Sequence, residues 1–159
     1  MNTSSGLPYF DQEIITLTRN GEWLADGEPI THERTVIAFQ SHLFRSLDEK
    51  GWEIRIGRER KTIEVEDTAF FVRLIQGSPE AGYQLYLTDG TQQPLVPETL
   101  KYSPGRLSCI IHCKRIGGAG TAEARFLRSP FYELLSHAVP TPEGHCLTVG
   151  GTRVELKET

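Results

Sequence analysis

Residues 51–67 read GWEIRIGRERKTIEVED, and both arms of this stretch alternate. Trp52, Ile54 and Ile56 interleave with Glu53 and Arg55, and Ile63 and Val65 with Glu64 and Glu66. Successive strand side chains point to opposite faces, so a two-residue period predicts a hairpin with one buried and one solvated face. On the solvated face, Arg55, Arg58, Arg60 and Lys61 oppose Glu64, Glu66 and Asp67 as ordinary cross-strand charge. Asp67 ends the hairpin just before Phe70-Phe71. A carboxylate there bonds the backbone amides of a turn or lines a site.

Upstream, Ile14, Ile15 and Leu17 predict a first strand. Asp26-Gly27 predicts a tight hairpin turn, since both residue types tolerate positive φ. Thr31 is placed to cap a helix whose stripe at helical spacing is Val36, Ile37, Gln40, Leu43, Phe44 and Leu47, ended by Asp48 to Gly51. Downstream, Ala69 to Ile75 reads as a central strand, and Tyr83, Leu85 and Leu87 as an alternating one closed by Asp89-Gly90. Pro94, Pro97 and Pro104 predict loop and edge. Leu107 to Cys113 reads as a strand and Ala122 to Leu127 as a short helix. Ser129-Pro130 starts a second helix, with serine as its cap, carrying Phe131, Leu134, Leu135 and Ala138. A last hairpin turns at Gly150-Gly151.

The order repeats. An Asp-Gly hairpin is twice followed by a helix and then a hairpin, and Trp52, Ile54 and Ile56 align with His145, Leu147 and Val149. The expected fold is α+β, with two tandem related halves, 1–68 and 69–159, each an antiparallel sheet with one main helix.

Four segments carry a resemblance: GEWLADGEPI from Gly21, IEVEDTAF from Ile63, RSPFYELL from Arg128 and VGGTRVEL from Val149. Together they resemble an uncharacterised bacterial family, domain-of-unknown-function family twelve-eighty-five, from about Ile14 to Leu156. The resemblance implies a duplicated α+β fold whose second half is superficially like a pleckstrin-homology domain. It also implies a ligand site between the halves and a signalling role, and it supplies no catalytic residues.

Bulk composition narrows the function classes. The 159 residues make one average domain or two small ones, and a net charge of −4 speaks against a dedicated nucleic-acid binder. The first residues lack a charged segment followed by an apolar one, and no apolar run is long enough to cross a bilayer, so a cytoplasmic protein without a membrane span is expected. Three cysteines do not make a disulfide framework. Cys109 and Cys113, four apart on a strand, stand about 13 Å from each other, too far to share a metal. No metal and no cofactor are expected.

Two local features bear on chemistry. Gly117, Gly118 and Gly120 follow a strand, and Lys114 and Arg115 stand beside them. Backbone amides there could hold an anion at a helix N-terminus, but neither dinucleotide nor phosphate-loop spacing is present, and a flexible corner is the preferred reading. Cys113, beside Lys114 and Arg115, is a candidate nucleophile with His137 or His145 as base. The leading expectation is a non-enzymatic module that binds a small molecule or a protein partner in a regulatory setting, with Trp23, Asp67, Phe70 and Arg115 at an inter-half cleft. A small enzyme using Cys113, and an assembly protein that forms a homodimer through a sheet edge, are the alternatives.

Overall fold

The computed structural model describes residues 9–10, 13–48, 50–116 and 120–157. The chain divides into two compact units, Met1–Ala69 with Cys113–Gly120, and Phe70–His112 with Thr121–Thr159. The architecture is α+β, and each unit holds one six-stranded sheet and one α-helix.

In the first unit, β1 (Ile15–Leu17), β2 (Trp23–Ala25) and β3 (Glu28–Pro29) form one meander. Helix α1 (Glu33–Ser41) follows, and then a second meander of β4 (Leu43–Arg45), β5 (Trp52–Ile56) and β6 (Glu59–Val65). The sheet order is β3-β2-β1-β6-β5-β4. The β1–β6 pair is parallel, with Thr16 opposite Glu64 and Leu17 opposite Val65, so the sheet is not wholly antiparallel. The β2–β3 turn places Asp26 at φ 49° and Gly27 at φ 84°, the two left-handed residues that a type I′ hairpin turn requires. Ile15, Leu17, Trp23, Phe39, Leu43, Ile54 and Ile63 are buried. The rings of Phe10 and Trp23 lie 5.9 and 5.6 Å from that of Phe39.

The first helix is shorter than its apolar spacing predicts. Its cap is His32, not Thr31: His32 Nδ1 accepts from the Thr35 amide at 3.3 Å. At the other end the Ser41 hydroxyl donates to the Ile37 carbonyl, His42 Nδ1 lies 2.8 Å from the Ala38 carbonyl oxygen, and the His42 amide donates to Phe39. Polar groups thus satisfy the terminal carbonyls, and the chain turns into β4. Leu43 and Phe44 are strand residues, and the buried helix positions are Thr35 and Phe39 rather than the predicted stripe.

The second unit repeats the sheet. Its strands are β7 (Phe70–Ser78), β8 (Gly82–Leu87), β9 (Gln92–Pro94), β10 (Lys101–Ser103), β11 (Arg106–His112) and β12 (Thr121–Phe126). The order is β10-β11-β12-β7-β8-β9, closed by a parallel β12–β7 pair. Read from the other edge, this is the first unit's order with every strand number raised by six. A short 3₁₀ turn, Pro97–Thr99, stands where the first unit has α1. Helix α2 (Arg128–Leu135) comes after the six strands and leads into a separate antiparallel sheet of β13 (Val139–Thr141), β14 (Gly144–Val149) and β15 (Thr152–Lys157).

The equivalence therefore differs from the sequence alignment. Sheet order matches β5 and β6 to β11 and β12, whereas the sequence pattern pairs Trp52–Ile56 with the β14 segment. That alignment picks up a smaller recurrence, a helix followed by a three-stranded meander. The Asp-Gly turns do correspond, as β2–β3 and β8–β9, but they differ in conformation. Asp89 is not at positive φ, Gly90 has φ 89°, and the Leu87 amide bonds the Thr91 carbonyl. This is a three-residue loop ending in a left-handed glycine.

Two predicted helix features also change. Residues 122–127 are not a helix: Ala122, Ala124 and Phe126 alternate into the core of β12. Pairing on both sides of this strand overrides the helix preference of alanine. The α2 cap is Leu127, which makes no side-chain cap bond, and Ser129 lies inside the first turn.

Candidate anion-binding site

In the first unit, β4, the loop after it, β5 and the 3₁₀ turn Lys114–Ile116 line an open pocket of about 370 Å³. Four cationic side chains line it: Arg45, Arg55, Lys114 and Arg115. Among the described residues no carboxylate lines it. Strand register builds one side of it. Arg45 pairs with Trp52 across β4–β5, and its guanidinium stands 4.1 Å from the Trp52 ring centroid. Phe44 lies between two more guanidiniums, Arg55 at 4.7 Å and Arg115 at 5.7 Å. Aromatic faces attract cations and hold them at fixed positions without neutralising them.

Further hydrogen bonds fix two of these arginines. Arg115 Nη1 donates to the carbonyl of Ser41, the last residue of α1, where an acceptor lacks an intrahelical donor. Arg55 Nη2 donates to the Arg45 carbonyl and to Glu53 Oε1, both at 3.2 Å. Its Nε is buried and, among the described residues, has no hydrogen-bond partner. Arg45 and Lys114 are in no ion pair among the described residues.

Glu53 organises this region. The alternation of β5 places it on the solvated face, yet it is only 3% exposed. Arg60 approaches it as a fork, Nε to Oε2 at 2.8 Å and Nη2 to Oε1 at 3.1 Å, and Arg55 adds a third bond. The Arg60 hydrogen bond, with help from Arg55, holds the carboxyl below the usual glutamate range against the opposing effect of burial. The adjacent loop is tied by its own side chains. Ser46 Oγ donates to Asp48 Oδ1 at 2.6 Å and accepts from the Gly51 amide at 3.0 Å. This leaves Leu47 at 73% exposure.

Of the four residues proposed from sequence, Arg115 lines this cavity. Trp23 is buried against Phe39, with its Nε1 lacking a partner among the described residues. Asp67 is exposed in the bend after β6, and Phe70 is fully buried at the start of β7. Sequence reasoning missed Arg45 and placed Phe44 and Leu47 on a helix. The signal that could have found them is Ser41-His42, two polar residues able to end a helix immediately before Leu43.

Gly117 and Gly118 lie outside the described residues. Gly120 (φ 73°) accepts from the Cys113 amide, and the strand β12 follows it, so the expected helix N-terminus is absent. Cys113 is half-buried, and among the described residues no histidine hydrogen-bonds its sulfur. Cys109 and Cys146 are buried, and burial pushes the Cys109 thiol up to about 12. Among the described residues no group of three or more His, Cys, Asp or Glu is placed to hold a metal, and no helix is long and apolar enough to cross a membrane. In the second unit Tyr83 borders a cavity of about 440 Å³. Its hydroxyl is buried without a partner among the described residues, and burial, then Glu133 and Glu80, push the phenol up.

No protein-family model and no curated protein matches the chain. Two solved structures do. A DUF1285 family protein from Silicibacter pomeroyi DSS-3 is 20% identical, with a TM-score of 0.64 over 94% of this chain and 82% of that one. A DUF1285 family protein from Shewanella baltica OS155 is 15% identical, with a TM-score of 0.54 over 78% of this chain and 91% of that one. The fold of this chain is that of these DUF1285 family proteins.

Proposed function

We propose that this chain is a DUF1285 family member and a non-enzymatic binding module, and that it recognises an anionic ligand in a regulatory role. The observation that carries the reading is the pocket where, among the described residues, four cations and no carboxylate form the lining. Arg55 is already paired with Glu53, but like charges gathered on one surface still repel one another, and an anion relieves that repulsion while accepting their hydrogen bonds. The aromatic supports under Arg45 and Arg55 pre-organise these groups, which lowers the entropy cost of binding.

The test is thermal unfolding in a fixed concentration of chloride with added phosphate or sulfate. A ligand at about a hundred times its dissociation constant adds about 2.7 kcal/mol of stability. The wild-type protein should gain stability from the oxyanion, and Arg45→Ala with Lys114→Ala should lose most of the gain while folding normally. Equal responses in wild type and double variant would sink the reading.

A further inference from the structure

The cavity is larger and less polar than a bare anion needs. Besides its four cations it is lined by Phe44, Ile116 and Leu47. Ile116 is buried, Phe44 is half-buried between two guanidiniums, and Leu47 stands at 73% exposure beside the charged groups. A large apolar side chain held in water by a tightly hydrogen-bonded loop has surface to give a ligand. The volume of about 370 Å³ falls at the lower end of the range for small-molecule sites, which rely on apolar walls with a few placed polar groups.

The cations narrow the head group. A carboxylate carries one charge and two oxygens, enough for one guanidinium fork. A phosphate monoester carries up to two charges and three terminal oxygens, and can engage several guanidiniums and an ammonium together. Arginine outnumbers lysine three to one among the lining cations, which favours planar, forked recognition over a point charge.

From this geometry we infer that the site takes a small organic phosphate monoester, its phosphate among Arg45, Arg55, Lys114 and Arg115 and its compact apolar body against Leu47 and Ile116. The inference rests on the anion-site reading and adds the ligand's chemical class.

Calorimetric titration with phenyl phosphate, inorganic phosphate and benzoate tests it. Phenyl phosphate should bind about tenfold more tightly than inorganic phosphate, because its ring leaves water against the apolar wall, and more tightly than benzoate. Leu47→Ser alters an exposed loop position. It should erase most of the margin between phenyl phosphate and inorganic phosphate. If phenyl and inorganic phosphate bind equally, or benzoate matches phenyl phosphate, the ligand class is wrong and the anion site stands. If no probe binds, or Arg45→Ala with Lys114→Ala leaves binding unchanged, the anion site falls and the inference falls with it.

Discussion

Glu53→Gln keeps the shape of the side chain and removes its charge, and it tests the clasp that holds Arg55 in the candidate site. The carboxylate accepts three hydrogen bonds from two guanidiniums while itself 3% exposed. Breaking a fully buried ion pair costs about 3–5 kcal/mol. Here the arginines are not fully buried: the side chains of Arg55 and Arg60 are 30% and 50% exposed, so water takes up part of what they lose. Glutamine also retains one acceptor oxygen. The expected loss is about 2 kcal/mol, or about 4–8 °C in Tm for a chain of this length. Urea denaturation at pH 7 measures the first figure and calorimetry the second. The pH dependence supplies a separate check. The folded-state value of this carboxyl lies below its unfolded one, so between the two the unfolded chain binds the extra proton and stability rises with pH. The contribution is fully present above the ordinary glutamate value of about 4.3 and fades as pH falls below it. Glu53→Gln should therefore flatten the acid limb of the stability curve. A loss under about 0.5 kcal/mol, the usual scatter of surface substitutions, together with an unchanged acid limb, would refute the clasp.

Two further predictions concern other parts of the chain. At Gly77 (φ 140°) an added Cβ would collide with the Gly82 carbonyl oxygen, whereas at Gly27 (φ 84°) it would meet nothing. Gly77→Ala should therefore cost about 2–3 kcal/mol, and Gly27→Ala only about 1 kcal/mol of backbone strain; equal losses by denaturation would contradict the crowding argument. Thiol labelling of the native protein at pH 8 should modify the half-buried Cys113 first, with Cys109 protected by burial and by a thiol pushed up to about 12. Mass spectrometry of the early product identifies the site, and Cys109 labelling first would overturn the expected order.

Much of the strand content is legible in the residues, because period-two patterns bounded by turn signals are local. The hairpin at 51–67 and the Asp26-Gly27 turn form where their residues place them. The prolines after Asp89-Gly90 mark the two sheet edges, β9 and β10, where a missing amide donor costs little. Less legible are the elements whose local and non-local preferences disagree. The alanines of β12 favour helix in isolation, but Ala124 pairs with Cys109 on one side and Phe70 on the other. The apolar spacing from Val36 to Leu47 fits a longer helix, but polar groups end α1 at Ser41 and Leu43 pairs with Ile54.

The candidate site divides along the same line. Residue type and alternation are enough to place Trp52, Glu53 and Arg55 on one strand, because neighbouring side chains follow the pleat of the backbone. They do not reveal that Arg45 stacks on Trp52, or that Lys114 and Arg115 come to the same cavity as Arg55 from about sixty residues further along the chain. Nor do they show Glu53 buried, since the alternation that puts a charge on the outer face is silent about what then covers that face. Those facts depend on strand register, on which side chains fold over one another across a hairpin and, for Lys114 and Arg115, on contacts between distant segments, none of which the alternation encodes.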